Sequence, residues 1–281
     1  MPRKIILSRK GFDGSAGGKP SPILDGKFVS LPIPSADSGI FYKEMAFSSE
    51  ENYLKIMKEL GIKMFSEAHL DPDLQRSLLE CRPKEWRGLF GQSGSSQGTL
   101  HNRDVGEGDI FLFFGWFKEA KKIDGVWRYL PDAPDIHAIF GYLEVDRELD
   151  IKAGVPIPSW AAYHPHVENK HEHEKGRNSL YMATSAFSKN ARQPGWGCFH
   201  YDPRLVLTNK DQTARSFWKL PPCFQREQEQ FIPKIKTWNV LSDGMVEMQT
   251  AGRGDQEMYI SSTPEVVEWA ENLIMSCSVY E

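Results

Sequence analysis

The chain lacks the sequence patterns that mark several familiar kinds of site. Its four cysteines form no CxxC pair and have no other spacing typical of a zinc site, which argues against a zinc finger or ribbon. The P-loop patterns GxxxxGKS and GxxxxGKT and the helical metalloprotease pattern HExxH are also missing. A P-loop nucleotide hydrolase and a zincin protease are therefore excluded as interpretations of this sequence.

An excess of positive charge and a long apolar run are missing as well. The 281 residues carry 34 Lys and Arg against 38 Asp and Glu, a formal net charge of −4. Proteins that hold duplex DNA through many phosphates are usually basic, so a small substrate or a single nucleotide fits this balance better. No stretch approaches the roughly 18 apolar residues of a membrane helix, and the N-terminus has no apolar leader. We expect a soluble, cytoplasmic protein with reduced cysteines and no membrane partner.

What the sequence does contain is enough apolar material for one folded unit. Apolar residues make up 40% of the chain and charged residues 26%, close to globular averages, so we treat residues 1–281 as one domain. Apolar runs predict strands at 4–8, 28–31, 110–117, 136–145, 181–184, 205–208, 238–248 and 258–260. Capping residues and apolar faces predict helices at 48–60, 71–81 and 264–277. The predicted fold is α+β, with a mixed, strongly curved sheet and helices packed on it.

The glycine-rich segment 9–22 carries charged side chains where the first strand ends. Its four glycines and two prolines favour tight turns with exposed backbone N–H groups. Together with those groups, a phosphate or carboxylate can be bound by basic and hydroxyl side chains, namely Arg9, Lys10, Lys19 and Ser21. Asp13 is a candidate catalytic base or metal ligand. The alternative is a structural turn with an ion pair between Arg9 and Asp13.

The segment HLDPD at 69–73 places a histidine beside two carboxylates. Such a group can bind a divalent metal or transfer protons. Asp71 is a candidate catalytic residue, and His69 and Asp73 are candidate metal ligands. The alternative is structural, with Asp71 capping the helix predicted after it and Asp73 stabilising the helix dipole.

The Gly/Ser-rich segment 91–108 is predicted to be a loop that leads into an apolar strand. Gln92 can recognise the edge of a base through two hydrogen bonds, and His101 can transfer protons near neutral pH. A loop without any site explains the glycines equally well. Trp116, on the strand that follows, offers a face on which a base can stack, although core packing is the commoner use of such a side chain.

Four histidines lie close together in the polar run HPHVENKHEHE. The HxH spacing of His164 and His166 puts both rings on one side of an extended segment, where they can chelate a metal. His164 is also a candidate for proton transfer. His171 and His173 are better explained as part of a solvated loop. A divalent metal is thus a candidate cofactor.

Several segments, taken in order along the chain, resemble those of one protein family. They are SRKGFDGSAGGKPSPI at 8–23, HLDPDL at 69–74, FGQSGSSQGTLHNRDVGEGDIFLFFGWF at 90–117, IHAIFGYLEV at 136–145, HPH at 164–166 and NSLYMAT at 178–184. On these segments the chain resembles the nucleotide modification associated domain 3 family, which is linked to hypermodification of bases in DNA. The resemblance implies a role in modifying bases in DNA or in nucleotides, and it assigns no catalytic residue.

A second resemblance concerns the two apolar strands at 110–117 and 136–145. GEGDIFLFFGWF followed by IHAIFGYLEV is similar to the hairpin pattern of PUA-like domains, in which a Gly-Asp turn enters one strand and a later strand ends in Glu-Val. Those domains are small barrel-like folds that hold a flipped or modified base. This similarity implies a PUA-like core.

These observations predict one polar pocket and three alternative functions. The pocket is formed by loops 9–22, 69–73, 91–109 and 164–181, with Asn178 and Tyr181 as further substrate-binding residues. The first hypothesis is an enzyme that modifies a nucleobase or nucleotide. The second is a module that binds a modified base without chemistry, and the third is a metal-dependent hydrolase built on the His and Asp residues. The expected partner is a nucleotide or a nucleic-acid base.

Overall fold

The computed structural model describes residues 2–168, 176–225, 235–250 and 257–278. Within them the strands are β1 (Ile5–Arg9), β2 (Ser21–Leu24), β3 (Lys27–Phe28), β4 (Ile33–Ser35), β5 (Glu67–His69), β6 (Leu89–Ser93), β7 (Ile110–Ile123), β8 (Val126–Tyr129), β9 (Ile136–Asp150), β10 (Asn178–Ala183), β11 (Trp196–Cys198), β12 (Phe217–Leu220), β13 (Thr237–Val240), β14 (Val246–Gln249) and β15 (Glu257–Ser261). The helices are α1 (Tyr53–Glu59), α2 (Gly94–Asn102), α3 (Pro165–Glu168) and α4 (Pro264–Cys277). Short 3₁₀ turns lie at Arg76–Leu78, Ser159–Ala161, Pro203–Leu205 and Pro222–Phe224.

The two longest strands, β7 and β9, form an antiparallel pair at the centre of the fold. Residues 110–115 of β7 and 136–145 of β9 are all buried, as continuous apolar runs predict for a strand covered on both faces. Beyond these runs, β7 continues as a hairpin with β8, and β9 continues beside β10. The two predicted strands are confirmed, but both are longer than predicted because backbone pairing continues after the apolar pattern stops.

Parallel pairing of two successive strands with β7 determines where the glycine-rich loop lies. β1 pairs with the first half of β7, and β2 pairs with its second half. Both strands run in the direction of β7, so residues 10–20 must leave the sheet between them. Gly11 permits this turn because its φ is +78° and a Cβ there would lie 3.1 Å from the Leu31 carbonyl oxygen.

The main sheet is mixed and open. Its path runs β15–β1–β7–β9–β10–β6, with β2, β8 and β11 paired along β7 and β9, and β3 paired with β2. Strands β12–β14–β13 form a second sheet and β4–β5 a third. The α+β class with a large mixed sheet is confirmed. The PUA-like core is not, because the described strands do not close into a barrel.

Aromatic side chains fill the main core and anchor the glycine-rich loop. Phe111, Phe113 and Phe114 of β7 are each at most 1% exposed, and burying one such side chain stabilises the fold by about 1.5–3 kcal/mol. A second group of buried residues surrounds α1 and includes Phe12 and Trp127. Because Phe12 is itself 1% exposed, the loop that follows β1 is held against the body of the protein.

The helix predicted at 71–81 is wrong. The chain there has a cis peptide bond between Asp71 and Pro72 and only a 3₁₀ turn further on. Asp73 and Leu89 exchange two backbone hydrogen bonds, of 2.8 and 2.9 Å, so this segment is paired with β6 instead of forming helical bonds. Asp71 therefore caps no helix, and no α-helix begins here whose dipole Asp73 could stabilise.

The loop predicted at 91–108 is also wrong, since its first part forms the end of β6 and α2. Of the α2 residues only Gln97 and Leu100 are buried, so the sequence carries no apolar face from which a helix could be recognised. Gly94, with φ of +62°, makes the turn between strand and helix. The run GSSQG at 94–98 matches the GxSxG pattern, in which a nucleophilic serine lies on the turn between a strand and a helix. Its central residue, Ser96, lies within the first turn of α2 and not at that junction.

Other predictions differ mainly at their ends. α1 begins after Asn52, whose Oδ1 accepts a hydrogen bond from Lys55 N at 2.9 Å, and not after Ser48 or Ser49. The predicted strand 238–248 is a hairpin of β13 and β14, and 205–208 is a 3₁₀ turn followed by isolated bridges. The predicted C-terminal helix is confirmed as α4. Among the described residues, no helix combines the length and the apolar character that crossing a membrane requires.

Candidate functional site

Five parts of the chain meet at one polar cleft of about 630 Å³. They are the loop after β1, the region of β4, the end of β5 with Asp71, the end of β6, and α3. This volume suits a small-molecule ligand, for which pockets of about 300–1,000 Å³ are usual. Seven of the residues predicted from the sequence line the cleft: Arg9, Lys10, Asp13, His69, Asp71, Gln92 and His166.

Asp71 lies in this cleft as a buried, charged carboxylate. Its side chain is 4% exposed, and its Oδ1 accepts a hydrogen bond from Gly91 N at 2.6 Å. Burial by itself would raise the pKa of Asp71, but the His164 imidazole at 3.5 Å and the Lys10 ammonium at 3.8 Å outweigh burial and hold that pKa well below its usual range. A carboxylate with so low a pKa is a poor general base at neutral pH and is better suited to holding a cation.

Lys10 brings a positive charge to the same place. Its side chain is 5% exposed, and its Nζ lies 4.3 Å from the centroid of the Phe90 ring as well as 3.8 Å from Asp71 Oδ2. The backbone N–H of Lys10 donates to the Phe114 carbonyl at 2.9 Å, which fixes the start of the loop on β7. An ammonium so shielded from water interacts strongly with an anionic group of a ligand.

Hydrogen bonds determine which ring nitrogen of His166 carries the proton. Asn178 Nδ2 donates to the His166 carbonyl at 2.9 Å, so Asn178 Oδ1 is the acceptor that lies 2.8 Å from His166 Nδ1. Nδ1 must therefore carry the hydrogen, and Nε2 presents its lone pair. Burial is the main reason why the pKa of His166 is well below its ordinary value, and the ring is consequently neutral.

The lone pair of His166 points into a group of possible metal ligands. His69 Nε2 lies 3.3 Å from His166 Nε2. One ligand atom from each of His69, Asp71 and His166 lies within 4.8 Å of the other two. These three side chains could hold a metal ion.

His164 is fully buried and supports Asp71 from behind the cleft lining. Its Nδ1 accepts a long hydrogen bond of 3.4 Å from His166 N, so its Nε2 carries the proton. Nε2 lies 3.5 Å from Asp71 Oδ1 but makes no well-aligned hydrogen bond. His164 thus places an N–H beside the Asp71 carboxylate and does not line the cleft.

Gly91 is a residue of this site that the sequence analysis missed. A Cβ at this position would overlap the His166 ring, so only glycine lets that imidazole lie against β6. The same residue donates its N–H to Asp71. A glycine inside a strand often marks such a close approach, but the sequence predicts a loop at this position instead of the strand β6.

One family model spans most of the chain. It is described as nucleotide modification associated domain 3, and it matches residues 4–260. The chain belongs to the nucleotide modification associated domain 3 family. A search of curated proteins and a search of solved structures each found no match. The matched part of this nucleotide modification associated domain contains all the residues that line the cleft.

Within the nucleotide modification associated domain, Asp13 lines the cleft, but its carboxylate accepts hydrogen bonds from residues of its own loop. Asp13 Oδ1 accepts hydrogen bonds from Ser15 N, Ser15 Oγ and Ala16 N, each at 2.7 Å. Burial raises the pKa of Asp13, yet these hydrogen bonds and the charge of Arg9 lower it below its ordinary value. This geometry favours the structural alternative, a turn closed by the aspartate.

Asp73 is separated from the possible metal ligands by its own partners. Arg82 donates to both of its carboxylate oxygens, at 2.9 and 2.7 Å, and the Tyr163 hydroxyl donates to Oδ2 at 2.6 Å. Its side chain is 0% exposed. The carboxylate grouped with the histidines is Asp71, two residues earlier.

Besides His164, Asp73 and Asn178, five predicted residues do not line the cleft. Lys19 and His101 are exposed elsewhere, and Ser21 is buried with its Oγ accepting from Leu31 N at 3.0 Å. Trp116 Nε1 donates to an aspartate, Asp135, at 2.6 Å, and Tyr181 is fully buried with its hydroxyl hydrogen-bonded inside the protein. Nearness in sequence to polar segments does not decide which way a strand side chain faces. His171 and His173 lie outside the described residues.

Proposed function

We propose that this nucleotide modification associated domain is an enzyme that modifies a nucleobase or a nucleotide, and that its substrate binds in the cleft. Arg9 and Lys10 attract an anionic group of the substrate, and Gln92 recognises the edge of the base. Asp71, His69 and His166 lie beside the reacting group of the substrate and act on it. We expect the enzyme to work in the cytoplasm, on DNA bases or on nucleotides.

The observation that carries this proposal is the burial of opposite charges beside an open cleft. The side chains of Lys10 and Asp71 are 5% and 4% exposed, and their charged atoms are 3.8 Å apart, too far for a close ion pair. Removing two charged groups from water costs free energy. Buried charged groups of this kind are concentrated at functional sites. The chain that carries this site belongs to a family associated with nucleotide modification.

The test compares the nucleosides of cells that contain the wild-type protein with those of cells that contain variants. DNA and nucleotide pools are digested and analysed by mass spectrometry. Loss of a charge-assisted hydrogen bond costs about 1.5–3 kcal/mol, so we expect Lys10→Ala to lower the yield of an altered nucleoside by roughly 10- to 100-fold. Lys19→Ala is the matched control, because Lys19 is an exposed lysine of the same loop, and it should leave the yield unchanged.

The proposal fails if wild-type cells and Asp71→Asn cells show the same nucleosides and the purified protein binds no nucleotide or oligonucleotide.

A second candidate is a binding module that holds a modified base without altering it. It is favoured by the surroundings of Asp71, since the Lys10 ammonium and the Gly91 N–H can keep that carboxylate in place without any reaction. Saturable binding of a modified nucleoside with no turnover, lost in Lys10→Ala and kept in Lys19→Ala, would decide for the module.

A further inference from the structure

We propose that His69, Asp71 and His166 bind one divalent first-row transition-metal ion in the cleft. The ligands are the Nε2 atoms of the two histidines and one carboxylate oxygen of Asp71. The inference deepens the proposed function, and its catalytic meaning rests on that function, because the ion would lie where the substrate binds. Binding of the ion itself can be measured without any substrate.

The distance between the two imidazole nitrogens is the first support. His69 Nε2 and His166 Nε2 are 3.3 Å apart. Two nitrogens bound tetrahedrally to one zinc ion at about 2.0–2.1 Å must be about 3.3–3.4 Å apart. Asp71 completes a group whose ligand atoms all lie within 4.8 Å of one another. A hydrogen bond from His69 to His166 is the rival explanation for the short distance.

The hydrogen bonds behind His166 are an independent second support. Asn178 requires the hydrogen of His166 to be on Nδ1, which leaves the Nε2 lone pair directed at His69 and the cleft. Histidines that bind metals almost always donate their other ring N–H to such an outer partner. The side chain of Asn178 is buried and is itself fixed by the His166 carbonyl, so the ring is oriented before any ion arrives.

The carboxylate is supported in the same way. Asp71 Oδ1 accepts from Gly91 N at 2.6 Å, and the protonated Nε2 of His164 lies 3.5 Å from the same oxygen. His164 is 0% exposed and its Nε2 has no well-aligned acceptor. Ligating carboxylates are in turn hydrogen-bonded in metal sites, and the Gly91 N–H supplies such a hydrogen bond to Asp71.

The ligand types select the kind of metal. Two imidazoles with one carboxylate suit zinc, iron, manganese or cobalt, whereas magnesium and calcium prefer oxygen ligands. Three protein ligands also leave positions for water or substrate, as in catalytic sites. An ion held there would polarise a carbonyl or phosphoryl oxygen of the substrate or lower the pKa of a bound water.

The experiment measures metal binding to the full-length protein without a tag. Chelator-treated protein is titrated with Zn²⁺, Mn²⁺, Co²⁺ and, without oxygen, Fe²⁺, and the bound metal is counted by elemental analysis and native mass spectrometry. We expect one ion per chain for at least one of these metals. Asn178→Ala should weaken binding by about 10- to 100-fold, as loss of an outer partner does. His69→Ala and Asp71→Asn should weaken it more.

Two control variants separate this site from the other histidines. His101→Ala removes an exposed histidine outside the cleft, and the double variant His171→Ala with His173→Ala removes the histidines that follow His166 in sequence. Both should retain one ion per chain with unchanged affinity. Circular dichroism shows whether each variant is folded, and His69→Ala, which alters a half-buried side chain, is the variant least expected to disturb the fold.

The proposal is overturned if no metal of the panel binds, or if folded His69→Ala binds one ion as tightly as the wild type. Loss of the ion in the double variant His171→Ala with His173→Ala, with binding retained in His69→Ala, would also overturn it. If the ion binds as expected and no nucleoside is altered, the metal site stands and the enzymatic proposal fails. If a nucleoside is altered by protein that binds no ion, the enzymatic proposal stands and the metal site fails.

Discussion

At the scale of single residues, two aspartates that are neighbours in the sequence have different surroundings. Asp71 faces the cleft, beside Lys10 and the histidines. Asp73 is 0% exposed and accepts hydrogen bonds from Nη1 and Nη2 of Arg82. The HLDPD segment makes both aspartates candidates. Only the path of the chain, which turns at Asp71 and pairs with β6 at Asp73, separates the one that can bind a ligand from the one that is structural.

Removal of Arg82 should destabilise the protein strongly. Arg82→Ala leaves the buried Asp73 carboxylate without its cation, and breaking a buried pair in this way costs about 3–5 kcal/mol. The matched control is Arg204→Ala, since Arg204 pairs with Asp202 at the same 2.7 Å but is 56% exposed. An exposed pair contributes little to stability, because water and salt screen it. Urea unfolding of both variants measures the difference, and equal losses would contradict the role given to burial.

Gly91→Ala should disturb the candidate site directly. The added methyl group would overlap the His166 ring, so we expect a loss of about 1–3 kcal/mol in the free energy of unfolding together with weaker metal binding. Gly98→Ala on α2 is the control, because a Cβ there meets nothing within 4 Å. That change should stabilise the protein by about 0.5–1 kcal/mol, as alanine favours helix. Thermal unfolding and metal titration of the two variants check both expectations, and wild-type metal affinity in Gly91→Ala would refute them.

At the scale of elements, the sequence predicts those whose apolar pattern is strong. The apolar runs of β7 and β9 and the apolar face of α4 correspond to strands and a helix as predicted. The prediction failed at α2, which buries only two of its own residues. It also failed after Asp71, where pairing with β6 competes with helix formation. Local pattern is informative only where the element itself contributes to the core.

The N-terminal cap of α1 distinguishes the predicted start of this helix from the observed one. Asn52 Oδ1 accepts from Lys55 N at 2.9 Å, so Asn52→Ala should lower the free energy of unfolding by about 0.5–2 kcal/mol. Ser49→Ala should have almost no effect, because Ser49 is exposed and precedes the helix by several residues. Chemical denaturation measures both, and the expectation is wrong if Ser49→Ala proves the more damaging change.

At the scale of the whole molecule, the cleft exists because distant segments are brought together. The loop after β1 is fixed between β1 and β2 by their shared partner β7, while β6 reaches the cleft through β10 and β9.

A long-range hydrogen bond joins β9 of this sheet to β12 of the second sheet. Trp218 Nε1 donates to His137 Nδ1 at 3.0 Å. Burial, followed by the charges of Arg215 and Arg9, lowers the pKa of His137 to about 3.

This buried neutral histidine makes stability depend on acidity. The unfolded chain protonates His137 near pH 6.5, whereas the folded protein does so only near pH 3. Stability is therefore unaffected above about pH 6.5 and is lost as the pH falls below it, by about 1.4 kcal/mol per pH unit. Between pH 7 and pH 5 the wild type should lose about 2 kcal/mol more than His137→Asn, which retains an acceptor for Trp218.

Urea unfolding of the wild type and His137→Asn at several pH values checks this expectation. His101→Asn serves as the control, because His101 is exposed and its replacement should leave the pH dependence of the wild type unchanged. Parallel curves for the wild type and His137→Asn would show that His137 does not contribute to acid sensitivity.

The sequence by itself determined the α+β class, the central strands and the family, because each depends on local patterns or on motifs kept in order along the chain. It also pointed to seven of the side chains that line the cleft. Only the tertiary structure decided that Asp71, and not Asp73, lies with His69 and His166, that Asn178 fixes the proton of His166, and that Gly91 makes room for that ring. These relations join residues up to 97 positions apart, and the distances between such residues are set by strand pairing across the sheet, which no local pattern encodes.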